Sequence, residues 1–258
     1  MAILSGCLAL VGAVATRGAD ALLTFDELNP RTGFFRGPFY DPIPNGYGGL
    51  YWGNFGVIHP VGLLPTLGYI TGTVSQSNVA FNLTGEPASI YLPRGSFDLR
   101  SAYLTAATTD QLIIRVQGYA GAALLYDTNY TVTSAGPTLA HFNYTGVDRV
   151  LFTTFPRNPL AMDNLVVANV DGDGDGVPDP EDQCADTPEG ALVNEHGCSI
   201  EQLAPCAGPA TGGPWRNHGE YVSAVKAAAD AFLAAGLITV EQKDALVREA
   251  ARSACGRR

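Results

Sequence analysis

Leu112-Ile113-Ile114-Arg115-Val116 and Val147-Asp148-Arg149-Val150-Leu151-Phe152 decide the fold class. Both stretches are short, apolar or alternating, and rich in β-branched residues. Ser89-Ile90-Tyr91-Leu92, residues 99–104 and Leu165-Val166-Val167 repeat the pattern, with Gly, Pro, Asn and Asp between them. Runs of this length, punctuated this regularly, read as strands of a sandwich or barrel. Across residues 22–170 no 3.6-residue periodicity survives for more than a turn. The expectation there is mainly β, an antiparallel β-sandwich.

Past residue 170 the composition changes twice. Residues 171–206 hold almost no hydrophobic side chains and cannot form a core of their own. Residues 207–258 turn helical: Tyr221, Val222, Val225, Ala228, Ala229, Phe232 and Leu233 fall at i, i+3, i+4, i+7 spacing. Asn217 is placed to cap that helix, with Glu220 reaching back, and Gly236 to end it. Thr239 and Gln242 form a capping box for a second helix, whose Ala245, Leu246, Val247 and Ala250 supply an apolar side before Gly256 ends it. The prediction is a small C-terminal αα-hairpin.

The formal charge of −10 is local. Ten acidic residues and no Lys or Arg lie between Asp171 and Glu201, and the rest of the chain carries 15 of each sign. Such a distribution marks a cation site and argues against nucleic acid, which needs a basic face.

Residues 3–14 form an apolar run followed by the A-x-A-like Ala13-Val14-Ala15, so residues 1–15 read as a signal peptide. Leu4-Ser5-Gly6-Cys7 also has the form of a lipobox, although few residues precede its cysteine. No segment reaches the length of a membrane span. Export leaves Cys184, Cys198, Cys206 and Cys255, which allow three connectivities. In an antiparallel hairpin the start of the first helix lies beside the end of the second. That permits Cys206 to Cys255 and leaves Cys184 to Cys198 as the other pair.

Asp171-Gly172-Asp173-Gly174-Asp175-Gly176-Val177-Pro178-Asp179-Pro180-Glu181-Asp182 places carboxylates at positions 1, 3, 5, 9 and 12 of a twelve-residue loop, with Gly at position 6. This is the layout of a calcium loop, in which position 7, here Val177, gives its carbonyl. Calcium takes about 6–8 hard oxygen ligands, and alternating residues of a tight loop face one centre. The alternative is a solvated acidic linker. Pro178 and Pro180 oppose an exiting helix, so a helix–loop–helix hand is not expected.

Residues 171–198, with Asp-Gly-Asp-Gly-Asp-Gly-Val-Pro-Asp, Asp182-Gln183-Cys184, Asp186-Thr187-Pro188 and Gly197-Cys198, resemble a thrombospondin type 3 repeat of the form found in bacterial surface proteins. The resemblance implies Ca2+ at Asp171, Asp173, Asp175, the Val177 carbonyl, Asp179 and Asp182, and a Cys184–Cys198 disulfide. It implies a calcium-rigidified spacer in an extracellular setting.

Thr24-Phe25-Asp26-Glu27-Leu28, Ile43-Pro44-Asn45-Gly46-Tyr47-Gly48-Gly49 and Met162-Asp163-Asn164-Leu165-Val166 more weakly resemble the jelly-roll modules of exported bacterial and fungal proteins. Many such sandwiches resemble carbohydrate-binding modules, some with a structural calcium between first and last strands. Asp26 or Glu27 with Asp163 could fill that role; the alternative is that these carboxylates satisfy turn backbones. Residues 34–55 hold eight of the 24 aromatics: Phe34, Phe35, Phe39, Tyr40, Tyr47, Tyr51, Trp52 and Phe55. One reading is a sugar-stacking platform of Tyr47, Tyr51 and Trp52, with Asn45 or Asn54 binding hydroxyls. The other is a loop whose rings extend the core.

Catalysis has little support: His59, His141, His196 and His218 are scattered and match no metal or nucleophile spacing. Three sequons, at Asn82, Asn129 and Asn143, read as ordinary polar strand or turn residues. The expectation is a non-enzymatic secreted or cell-surface calcium-binding protein, extracellular or associated with an outer membrane. It divides into a sandwich (22–170), a calcium spacer (171–206) and a helical hairpin (207–258). Its expected role is binding or adhesion, with extracellular glycan or a cell-envelope protein as partner. The alternatives are a structural envelope component assembling through the hairpin and, behind it, a polysaccharide-active enzyme.

Overall fold

In β8 (Gln111–Ala120), Leu112, Ile114 and Val116 are buried while Gln111 and Ile113 face solvent, and in β11 (Arg149–Phe155) Val150, Phe152 and Thr154 are buried between exposed Arg149 and Phe155. Alternation of period two puts one side of each strand in the core. The structure, a computed structural model, describes residues 19–30 and 40–257. The signal-peptide and lipobox readings, and Phe34, Phe35 and Phe39, lie outside the described residues.

The other strands, in chain order, are β1 (Ala21–Leu23), β2 (Tyr40–Pro42), β3 (Tyr51–Gly53), β4 (Phe55–Ile58), β5 (Val79–Asn82), β6 (Ala88–Tyr91), β7 (Ser96–Ala106), β9 (Ala123–Thr133), β10 (Thr138–Val147) and β12 (Leu160–Asp171). Among the described residues one sheet orders β10-β7-β12-β5-β4-β2, with β1 also on β12, and the other orders β3-β6-β11-β8-β9. Among the described residues the strand pairings within both sheets are antiparallel, from β1 on β12 to β8 on β9. The protein is therefore mainly β, two antiparallel sheets forming a sandwich. Phe25, Phe55, Phe97, Phe152, Ile90, Leu99, Leu104 and Ile114 fill the space between the sheets. Truncating such a ring, as in Phe152→Ala, costs about 3–5 kcal/mol in a packed core.

The two outer faces differ. Over the first sheet, the one-turn helix α1 (Gly68–Thr71) and its loop build a second small core, in which Tyr69 and Leu63 pack on Ile58, Val79, Phe81 and Ala161. Over the second sheet, among the described residues, no helix makes a comparable cover.

Beyond β12 the chain forms α2 (Ile200–Leu203), α3 (His218–Ala234) and α4 (Val240–Arg252). Asn217 caps α3 by accepting the Glu220 N–H at 3.0 Å. Glu220 reaches one residue further back than expected, to the Arg216 N–H at 2.7 Å. Gly236, at φ +73°, lets Leu237 donate to the Phe232 carbonyl and so closes α3 in a Schellman turn. The Thr239–Gln242 capping box is complete in both directions. Helix α4 stops at Arg252, before Gly256, because Ser253 is already extended. The hairpin core of Val225, Ala229, Phe232, Ile238 and Ala250 also takes in Ile200 and Ala204. The spacer thus borrows the hairpin's core, having none of its own. The two disulfides join Cys184 to Cys198 and Cys206 to Cys255. Paired cysteines of this kind belong to an oxidising compartment. Among the described residues no helix is long and apolar enough to cross a membrane.

Candidate metal centre

Strand β12 ends at Asp171, whose backbone still pairs with Ser96. The sheet therefore fixes the first acidic residue, and the glycines that follow let the chain turn back on it. Asp171, Asp173 and Asp175 each bring a carboxylate oxygen within 4.8 Å of the other two. Asp179 is held close by a 2.7 Å bond from its N–H to the Val170 carbonyl, and its Oδ1 accepts the Gly172 N–H at 2.6 Å.

Seven backbone N–H groups point into this cluster. Asp171 accepts from Gly174 and Gly176, and Asp173 from Asp175 and Thr187. Asp175 accepts from Val177 and Asp182 from Cys184, while Asp179 holds Gly172. Such donors favour ionised carboxylates. Burial works against them, and the neighbouring aspartates add repulsion. The net result raises the carboxyls of Asp171, Asp175 and Asp179 above the usual carboxylate range.

One atom lacks any donor. Oδ2 of Asp175 is buried and accepts no hydrogen bond. It lies beside Gly197, where an added Cβ would come 3.0 Å from this oxygen and 2.1 Å from Oδ1 of Asp182. Gly197 sits at φ +75°, so a side chain there is both strained and obstructed. An unpartnered buried carboxylate oxygen is costly, and a hard cation is the group that would satisfy it. The donor set is all oxygen, which suits calcium and does not suit a thiophilic metal.

The loop is tied into the rest of the chain by Thr187. Its N–H goes to Asp173 at 2.6 Å, its carbonyl accepts from Arg94 at 2.9 Å, and its hydroxyl lies 3.0 Å from Gln202 Oε1. Gln202 in turn completes a capping box with Ser199 at the start of α2. Arg94 comes from the sandwich, Asp173 from the loop and Gln202 from α2 at the end of the spacer. In the sequence Thr187 stood only as part of the repeat-like motif, and nothing local marked Arg94 as its partner. A hollow of about 430 Å³ opens between Tyr51 and Arg94 on one side and Asp173, Asp179 and Asp182 on the other.

The second acidic grouping is engaged by backbone donors. Among the described residues Asp26, Glu27 and Asp163 form no cluster of three converging ligands. Asp163 instead accepts from the N–H groups of Val74, Ser75 and Asn164 and from the Ser75 hydroxyl. Asp26 accepts the Asn78 N–H at 3.0 Å. Burial raises the Asp163 carboxyl despite those donors. Asp163 on the last strand and Asp26 in the turn after the first thus clip residues 74–78 in place, the backbone-satisfying role expected as the alternative. Glu27 lies on the same turn, accepting from the Thr24 hydroxyl at 3.3 Å.

The aromatic loop is also turned inward. Trp52 is buried, its indole N–H donates to the Tyr47 carbonyl at 3.0 Å, and its backbone N–H donates to Asn45 at 2.9 Å. The Tyr47 hydroxyl accepts the Phe25 N–H, and its ring packs on Phe25 and Trp52. Asn54 spends its amide on the carbonyls of Leu83, Glu86 and Pro87. The rings of Tyr47 and Trp52 extend the core, and the side chains of Asn45 and Asn54 are engaged by backbone groups. Of the three aromatic residues in that group only Tyr51 faces solvent, its ring 5.6 Å from that of Tyr91 and tilted to it.

No family model matches the chain, and no curated protein matches it. Among solved structures, it is similar to the N-terminal CBM22-1–CBM22-2 tandem domain of Paenibacillus barcinonensis Xyn10C, at 13% identity over 60% of this chain and 47% of that one, with a TM-score of 0.34. It is also similar to TmCBM61 in complex with β-1,4-galactotriose, at 10% identity over 46% of this chain and 86% of that one, with a TM-score of 0.24. A third is the chitosan-binding module 1 from a chitosanase/glucanase of Paenibacillus sp. IK-5, at 15% identity over 46% of this chain and 92% of that one, with a TM-score of 0.25. The chain spans about half the length of the first of these. The likeness extends no further than the sandwich architecture described above.

Proposed function

We propose that the chain is a non-catalytic secreted or cell-surface module that binds calcium at residues 171–182 and extracellular glycan on its sandwich. The observation that carries the calcium half is the buried, donorless Oδ2 of Asp175 beside the converging oxygens of Asp171 and Asp173. In this reading Asp171, Asp173, Asp175, Asp179, Asp182 and the Val177 carbonyl hold the ion, in the manner the resemblance to a thrombospondin type 3 repeat implies. Calcium supplies the charge that lets five carboxylates share one small volume.

The ion then acts as a joint. Asp171 belongs to β12, Asp173 reaches Thr187, and Thr187 meets Arg94 and Gln202. Filling the loop fixes the spacer against the sandwich and, through α2, against the hairpin. Support for the glycan half comes from the second sheet, whose outer face no helix covers among the described residues and on which Tyr51 is exposed.

Calorimetric titration of chelator-stripped protein tests the calcium half. One-site binding with a Kd of about 10⁻⁴–10⁻³ M, the range of extracellular calcium modules, is expected. Affinity electrophoresis in gels cast with plant and bacterial polysaccharides tests the glycan half; migration unchanged in every gel contradicts it.

A further inference from the structure

The second sheet carries one continuous row of side chains across all five of its strands. Tyr51 on β3 is registered with Tyr91 on β6, and Tyr91 with Arg149 on β11. Arg149 is registered with Tyr119 on β8, and Tyr119 with Leu124 on β9. Their strand neighbours Trp52, Ile90, Val150 and Gly118 face the core, so alternation sends Tyr51, Tyr91, Arg149 and Tyr119 outward, and Leu124, past a register shift, is exposed. At about 4.8 Å per strand the row is about 19 Å long. It ends, at Tyr51, beside the hollow walled by Asp173, Asp179 and Asp182.

The chemistry along the row is specific. Tyr51 and Tyr91 lie 5.6 Å apart, and the Arg149 guanidinium sits 4.5 Å from the centre of the Tyr119 ring. That contact holds the guanidinium in place without neutralising it. The acids nearby are already engaged: Asp127 pairs with Arg115 through bonds of 2.8 and 2.5 Å, and Asp148 accepts the Gly121 N–H. Among the described residues Arg149 makes no ion pair. Cross-strand aromatic pairs account for the stability of such a row, and the Arg149 cation on it is held in no ion pair among the described residues.

We infer that this row is a binding platform for an anionic polysaccharide built of uronic acid units, with Tyr51, Tyr91 and Tyr119 against the apolar faces of the sugar rings and Arg149 paired to a ring carboxylate. The inference rests on the reading of the chain as a glycan binder and adds to it the ligand class and the site. An arginine fork matches a carboxylate in two parallel bonds, and tyrosine rings offer flat apolar area with a polar edge. Neutral sugars use only the tyrosines. The uronate uses all four residues.

Calorimetric titration of the full chain at fixed calcium, with a short oligogalacturonate and with cellohexaose and xylohexaose as neutral probes, tests it. Oligogalacturonate should bind and the neutral probes should bind at least about 10-fold more weakly, the difference a charge-assisted pair supplies. Arg149→Ala should weaken oligogalacturonate binding about 10-fold or more, Arg149→Lys should recover part of the loss, and Tyr91→Ala should cost several-fold. Each variant should keep the parent's melting midpoint and calcium affinity, which separates a lost site from a lost fold. Unchanged oligogalacturonate binding in Arg149→Ala overturns the assignment. So does tighter binding of a neutral probe, an outcome that leaves glycan binding standing. Failure of every saccharide to bind overturns both this inference and the glycan reading beneath it.

Discussion

Asp175 gives one oxygen to the Val177 N–H and leaves the other buried without a donor. Its neutralisation should therefore act in opposite directions with and without calcium. In chelator, Asp175→Asn removes repulsion from Asp173 and Asp182 and should raise the melting midpoint. In calcium it removes a ligand and should weaken binding about 10-fold or more, read by titration. Asp163 is the contrasting residue, fully buried and fully used by four donors. Asp163→Ala should cost on the order of 3 kcal/mol in urea unfolding, because those donors lose their acceptor inside the protein. Its calcium affinity should not change. The convergence of Asp171, Asp173 and Asp175 was readable because their alternate spacing is local to five residues. The inward turn of Trp52 and Tyr47 was not, because a ring's direction depends on strand register, which β3 takes from β6 far along the chain.

The loop as an element has a pH dependence whose sign follows from burial and crowding. The carboxyls of Asp171, Asp175 and Asp179 lie above their ordinary range in the folded chain without metal. Their contribution to stability is fully present below the unfolded carboxylate pKa, about 3.9, and is lost as pH rises through the raised folded values. Chelated protein should thus lose stability across that interval, measured by melts at successive pH. Saturating calcium should reverse the trend, since the ion binds the ionised form. The hairpin makes a separate prediction. Cys206 and Cys255 close 49 residues, so Cys255→Ser should destabilise the helical part by about 4 kcal/mol on the chain-entropy estimate. Amide exchange in α3 and α4 would report it while β7 and β12 stay protected. The caps at Asn217 and Thr239 were legible because capping is local. Helix α2 was missed because four residues give no periodicity, although Ser199 and Gln202 spell its capping box.

At the scale of the whole molecule, three parts with different compositions meet around one polar joint. The sandwich supplies Arg94, the acidic loop Asp173 and the end of the spacer Gln202, all on Thr187, and α2, which carries Gln202, packs into the hairpin core through Ile200 and Ala204. Sequence alone separated the three parts but left their contact unseen, since each partner lies many residues from the others. If calcium organises the joint, occupancy at about 100-fold above Kd should stabilise the fold by about 2.7 kcal/mol. The stabilisation should shrink in Thr187→Ala even though that residue offers the ion no ligand in the proposed set. The most direct test is hydrogen exchange of chelator-stripped protein with calcium added stepwise, followed at the amides of Gly172, Gly174, Gly176 and Thr187. Calcium in the sub-millimolar to millimolar range should slow those amides together along a single-site binding curve. Exchange that stays the same at saturating calcium, with no heat of binding, would contradict the account.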